Sequence, residues 1–141
     1  MSVWFVDSSV IVRALVNNST AARRWLDAQD KAKDEWYGSR MLELEVSRVV
    51  RDAGADPRDA DHYLDRFDLV SITDDIVDAA SALPHRLGGA DSIHVATAMR
   101  LRSLPLTFIT HDPQQARAIE ASQMFDVHDP VADDPTRSPV A

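Results

Sequence analysis

A chain of 141 residues, 45% apolar and 27% charged, suits a single globular domain with a hydrophobic core of its own. It has no cysteine, which excludes disulfides, cysteine-based zinc sites and thiol nucleophiles together and fits a reducing compartment. Fifteen Lys+Arg against 23 Asp+Glu leave a net charge of −8, so either the partner is not nucleic acid, or the negative charge holds cations that then meet phosphate.

The opening residues, Met1 to Asp7, have no basic stretch and reach an acid at once, unlike a signal peptide. No apolar run approaches the roughly 20 residues that span a bilayer, so the expected compartment is the cytoplasm, with no membrane partner. Val3-Trp4-Phe5-Val6 is a short apolar run that predicts a buried strand ending at Asp7. Asp7-Ser8-Ser9 offers N-capping oxygens for a helix over Val10–Val16. Asn17-Asn18-Ser19 breaks it, and Thr20 caps a second helix expected to run to about Lys33.

Trp36-Tyr37 predicts a brief strand, after which Ser39 caps a helix from Met41 to about Ala53, stopped by Gly54. Leu42, Val46, Val49, Val50 and Ala53 fall on one face of that helix. Pro57 suits the first turn of a further helix to about Phe67. Asp68–Ile72 predicts a strand, and Thr73-Asp74-Asp75 caps a helix ending near Pro84. Gly88-Gly89 forms a joint before a largely apolar helix from Ala90 to about Ser103. Leu106–Thr110 is the clearest strand, Pro113 opens another helix, and Phe125-Asp126-Val127 predicts the last strand. From Asp129 onward the chain carries three prolines and little that is apolar, so 1–128 is expected to be the domain and 129–141 a disordered tail, with Asp133-Asp134 solvated.

Short apolar strands alternating with helices imply an α/β fold, a parallel sheet covered on both faces. Ligands in such sheets bind at the carboxyl ends of the strands, where the strand order reverses. Asp7 follows the first strand and Asp112 the late one, so both are expected on the same edge. Asp91 lies in the first turn of a helix too apolar for the surface, where an unpaired charge is costly and a helix dipole or a cation would compensate it. A fourth acid comes from the Met41–Ala53 helix, where Glu43 and Glu45 border the core face on opposite sides and periodicity does not choose between them. Clustered carboxylates raise one another's pKa values, and a hard divalent ion resolves the conflict. Such an ion also makes an acidic pocket attractive to phosphate.

Segments 3–9 (VWFVDSS), 39–48 (SRMLELEVSR), 90–98 (ADSIHVATA) and 108–112 (FITHD) resemble, in order and spacing, the four motifs of PIN domains. They are most similar to the VapC toxins of bacterial toxin–antitoxin pairs, over residues 3 to about 127. The resemblance implies a PIN-like three-layer sandwich with a mostly parallel sheet of four to five strands. It also implies a quartet of metal-holding, catalytic acids, Asp7, Glu45, Asp91 and Asp112, with Glu45 preferred to Glu43 by its place between Ser39 and Arg48. Mg²⁺ or Mn²⁺, endoribonuclease activity on RNA, a homodimer and a cognate VapB-like antitoxin follow from the same resemblance. His111 departs from the pattern, since small residues or tyrosine usually precede the last aspartate.

Ser8 and Ser9 are expected to be caps, with Ser9 able to hold a metal-associated water or a phosphate; Thr110 is expected to support Asp112; His94 reads as a core or interface histidine, and His111 as an exposed neighbour. Arg13, Arg23, Arg24, Arg48, Arg51, Arg100 and Arg102 are candidates for RNA backbone contacts, most of them equally explained as solvated helix faces. Lysine occurs only at 31 and 33, so receiver-type phosphoacceptor domains, haloacid-dehalogenase-like phosphatases and P-loop enzymes, which need a lysine elsewhere, are excluded. No His-Glu-x-x-His stretch supports zinc hydrolysis. The rival from another class is a PIN fold acting mainly as a protein-binding module with little nuclease activity.

Overall fold

A computed structural model describes residues 1–132. Five strands, β1 (Val3–Val6), β2 (Glu35–Ser39), β3 (Asp68–Val70), β4 (Thr107–Ile109) and β5 (Asp126–His128), form one sheet in the order β3-β2-β1-β4-β5. Every neighbouring pair is parallel, with Trp4 opposite Trp36 and Phe5 opposite Phe108. The α/β sandwich expected from the sequence is therefore present, and all of its sheet is parallel. Seven helices connect and cover the strands: α1 (Ser8–Leu15), α2 (Thr20–Ala28), α3 (Arg40–Asp52), α4 (Pro57–Leu64), α5 (Asp74–Ser81), α6 (Gly89–Arg100) and α7 (Pro113–Ser122).

The alternation of side chains along β1 builds two cores at once. Val6 packs with helices α1 to α4 through Ile11, Leu26, Leu42, Val50 and Tyr63 on one face of the sheet. Val3 and Phe5 point to the other face and meet Val95, Phe108 and Ile119, with the Phe5 and Phe108 rings stacked at 5.3 Å. Helix α6 buries an unbroken run, Ile93 to Ala98, because it also packs on α5 through Ile76 and Ala80. No helix among the described residues is long and apolar enough to cross a membrane.

Several boundaries differ from the sequence expectation. Helix α2 is capped by Ser19, not Thr20, and ends at Ala28 rather than near Lys33. Gln29 is extended, and residues 30–34 form a turn locked by Asp34, which accepts from the backbone N–H groups of Ser2 (2.9 Å) and Asp30 (3.1 Å). Helix α4 stops at Leu64 and β3 spans three residues rather than five. Helix α3 keeps its expected limits, with Ser39 accepting from Met41 N–H and Gly54 at φ +67°, a left-handed conformation that ends the helix. Ala53, expected on the core face, is exposed. Asp129 and Val131, in the stretch expected to begin a tail, are engaged: Val131 is fully buried and its N–H donates to Asp129. Asp133-Asp134 and the rest of the expected tail lie outside the described residues.

Candidate metal centre

Strand order reverses between β1 and β4, which run side by side at the middle of the sheet. At their shared end the Asp7 N–H donates to the Ile109 carbonyl at 3.1 Å, so the two strands deliver Asp7 and residues 110–112 to one place. Asp7 is the N-cap of α1 and Asp112 the N-cap of α7, accepting from Ser9 N–H (3.0 Å) and Gln114 N–H (2.8 Å) respectively.

Between them runs a chain of hydroxyls. Ser9 Oγ donates to Asp7 Oδ1 at 2.5 Å and accepts from the His111 N–H at 2.8 Å. Thr110 Oγ1 donates to Asp7 Oδ2 and accepts from the Asp112 N–H at 2.9 Å. Ser9 and Thr110 thus position the two aspartates against each other. Thr110 does support Asp112, and it holds Asp7 as well.

Asp91 enters from α6, and a residue with no motif to mark it in the sequence ties it to Asp7. Gln115, buried in the first turn of α7, donates one amide nitrogen to Asp7 Oδ2 (2.8 Å) and to Asp91 Oδ1 (3.1 Å). Its position three residues after Asp112, on the face that carries Ala118 and Ile119 inward, was the available signal. Its Oε1 is buried and meets no partner among the described residues. Gln115→Ala should therefore destabilise the metal-free protein by about 2 kcal/mol, the usual loss when hydrogen bonds to charged groups are removed, as read by the urea midpoint.

The two glutamates of α3 separate cleanly. Glu43 pairs with Arg40 at 2.8 Å and is 43% exposed. Glu45 turns inward to His94 Nε2 at 2.5 Å. His94 is fully buried, as expected of a core histidine, yet its ring holds a candidate acid, and its Nδ1 meets no partner among the described residues. His111 is bound through Nδ1 to Asp129 Oδ2 at 3.0 Å.

The electrostatics follow from burial. Asp7 is fully buried, and loss of water pushes its pKa up against the opposing pull of His94 and of the hydrogen bonds from Ser9 and Thr110. Asp91 is pushed up to about 6, first by burial and then by the negative fields of Asp112, Asp7 and Glu45. The other three acids therefore all act on the Asp91 carboxyl group, and an oxygen-rich, negatively charged cluster of this kind suits a hard divalent cation. Among the described residues, no three acidic or imidazole groups already stand in coordinating positions. The Asp7 oxygens are turned instead toward Ser9, Thr110 and the Gln115 amide, which places a partial positive charge between Asp7 and Asp91.

An acid-lined strand edge at the reversal point of a parallel sheet is the arrangement of a PIN domain, and residues 4–120 match that family's model. The chain belongs to the PIN-domain family. It is related to the VapC ribonucleases: it is 34% identical over 105 residues to ribonuclease VapC46 of Mycobacterium tuberculosis, covering 72% of this chain and 78% of that protein. It is 32% identical over 123 residues to ribonuclease VapC35 of the same species, covering 83% and 90%. The fold is also that of VapBC2 from Rickettsia felis, solved bound to a DNA fragment from its promoter, at a TM-score of 0.66, 11% identity and coverage of 90% of this chain and 98% of that one. VapBC-1 from nontypeable Haemophilus influenzae aligns at a TM-score of 0.59 and 12% identity, covering 92% and 98%.

Proposed function

We propose that this chain is a metal-dependent endoribonuclease, the toxin of a VapBC-type pair, and that Asp7, Glu45, Asp91 and Asp112 are its catalytic acids and hold Mg²⁺ or Mn²⁺. The observation that carries the reading is the convergence of acids from separate segments on one end of the sheet: Asp7 and Asp91 share one Gln115 amide nitrogen, and Asp91, raised first by burial, also feels the fields of Asp112, Asp7 and Glu45. The relationship to proteins named as VapC ribonucleases supports the same reading. When bound, a divalent ion in such a site polarises a phosphodiester oxygen and makes water a better nucleophile. The chain's own part is positioning: Ser9 and Thr110 fix the Asp7 and Asp112 pair, His94 fixes Glu45, and Gln115 keeps Asp7 and Asp91 together in the metal-free protein. Neutralisation by a VapB-like antitoxin and assembly as a homodimer belong to this reading; the solved VapBC structures of like fold support the antitoxin partner.

The test is cleavage of single-stranded and structured RNA by wild type and Asp91→Asn. Wild type should cut with Mg²⁺ or Mn²⁺, stop in chelator and recover when the ion is restored, while Asp91→Asn stays inactive throughout. Cleavage at equal rates by both proteins, or cleavage undiminished by chelator, overturns the assignment. A second reading, a PIN fold serving mainly as a protein-binding module, is favoured by one observation: Asp7 is already satisfied by its own chain. A wild-type protein that takes up the ion without cutting any RNA would decide for it.

A further inference from the structure

Of the seven arginines singled out as candidates for RNA contact, Arg13 is 7% exposed and Arg100 is bound to Asp75 at 2.5 Å. Arg48 and Arg51 line a groove on α3, but Asp52 lines it with them and offsets their field. A different groove, of about 340 Å³, is lined by Pro84, His85, Arg86, Gln114, Arg117 and Ala118, without a carboxylate. Arg86 and Arg117 are exposed, and neither forms an ion pair among the described residues.

Its walls lead to the acids. One is the loop before α6, in which Arg86 precedes Asp91 by five positions; the other is α7, in which Arg117 follows Asp112 by five. Gln114, which lines the groove, donates its backbone N–H to Asp112, and the next residue bridges Asp7 and Asp91. Between Arg86 and Asp91 the chain is uncrowded at Gly88 and Gly89: a Cβ at Gly89 would meet nothing within 4 Å, and one at Gly88 would reach only the Asp91 carboxylate, at 3.8 Å.

We propose that this groove is the track along which a single RNA strand reaches the carboxylates, with Arg86 and Arg117 neutralising backbone phosphates on either side and His85 and Gln114 contacting the same backbone. The proposal rests on the nuclease reading for its occupant. It explains how a chain of net charge −8 engages a polyanion: two guanidinium groups with no ion pair among the described residues create a local positive field. Guanidinium is also the side chain best matched to phosphate oxygens.

The experiment is binding of a fluorescent single-stranded RNA oligonucleotide in chelator, by anisotropy across a salt series, so that no cleavage intervenes. Each lost phosphate contact lowers the salt slope by about 0.7 for a single strand. Arg86→Ala/Arg117→Ala should therefore bind about tenfold more weakly, with a slope smaller by about 1.4. Arg86→Glu/Arg117→Glu should be weaker still. Arg58→Ala, which removes an exposed arginine paired with Asp56 on α4, should bind as wild type does. A double variant with wild-type affinity and slope overturns the proposal, as does wild-type protein that fails to bind at low salt. A polyglutamate peptide that binds as well as RNA and is lost in the same variants assigns the groove to an acidic polypeptide instead. Unchanged RNA binding in the double variant with cleavage intact removes the groove and leaves the nuclease; weakened binding with no cleavage under any metal removes the nuclease and leaves the groove.

Discussion

Asp7→Asn should lower metal-dependent RNA cleavage on the order of 10³-fold or more, while leaving the metal-free protein at least as stable as wild type. The first half follows from the position of Asp7 at the centre of the cluster, where it adds to the field on Asp91 and shares the Gln115 amide with it. Removing a single preorganised electrostatic group from an active site already costs about 10²–10³ in rate, and Asp7 would also hold the ion. The second half follows from burial. A fully buried carboxylate with a raised pKa is a charge the fold disfavours, and asparagine of the same shape removes it. Its amide can donate to Thr110, and Gln115 can turn its Oε1, which meets no partner among the described residues, to accept from it. Single-turnover cleavage and urea midpoints measure the two halves. Cleavage by Asp7→Asn within tenfold of wild type would remove Asp7 from the chemistry; retained cleavage in Asp91→Asn as well would remove the whole cluster.

Metal-free wild type should lose stability as the pH rises from about 4 through 6 and beyond, and Mg²⁺ should reverse much of the loss. Asp91 ionises at about 6 in the fold, against 3.8 as its ordinary value, and Asp7 is shifted in the same direction. Between those limits the folded protein holds protons that the unfolded chain has released, so the unfolding free energy falls with pH. The contribution is complete below the ordinary carboxylate range and lost as pH passes the raised value. Asp34, Asp56 and Asp75 are shifted down by their hydrogen bonds, so their stabilisation is lost only in more acidic solution and does not cancel the trend above pH 4. A cation bound to the folded state adds stability by mass action, most at the pH where the carboxylates are ionised. Melting temperatures at several pH values, with chelator and with Mg²⁺, test this. A metal-free melting temperature that climbs steadily between pH 4 and 7 contradicts the electrostatic account of the site.

Much of this site was legible before folding. Asp7 after an apolar strand, Asp112 after another and Asp91 in the first turn of an apolar helix all fall where a parallel sheet presents its carboxyl edge. Periodicity did not separate Glu45 from Glu43, because a helical wheel places both at the border of one face, and only the family resemblance favoured Glu45; the physical distinction lies in Arg40 on one side and His94, 49 positions away in sequence, on the other. The expected end of α2 failed for a related reason. Residues 29–33 are acceptable helix formers, and only Asp34, by reaching Ser2 and Trp4 on the neighbouring strand, makes a turn there more favourable than another turn of helix.

By itself the sequence determined the order of strands and helices, the two faces of β1 and the acids at strand ends, since each depends on periodicity or on capping by near neighbours. Only tertiary structure decided what those acids touch: that one Gln115 nitrogen joins Asp7 to Asp91, that His94 takes Glu45, and that Arg86 and Arg117 come to line one groove. Those contacts join residues 24 to 108 positions apart, or come from opposite walls of a cleft. Their electrostatic consequences depend on how much water the packing excludes, which no local pattern of residues encodes.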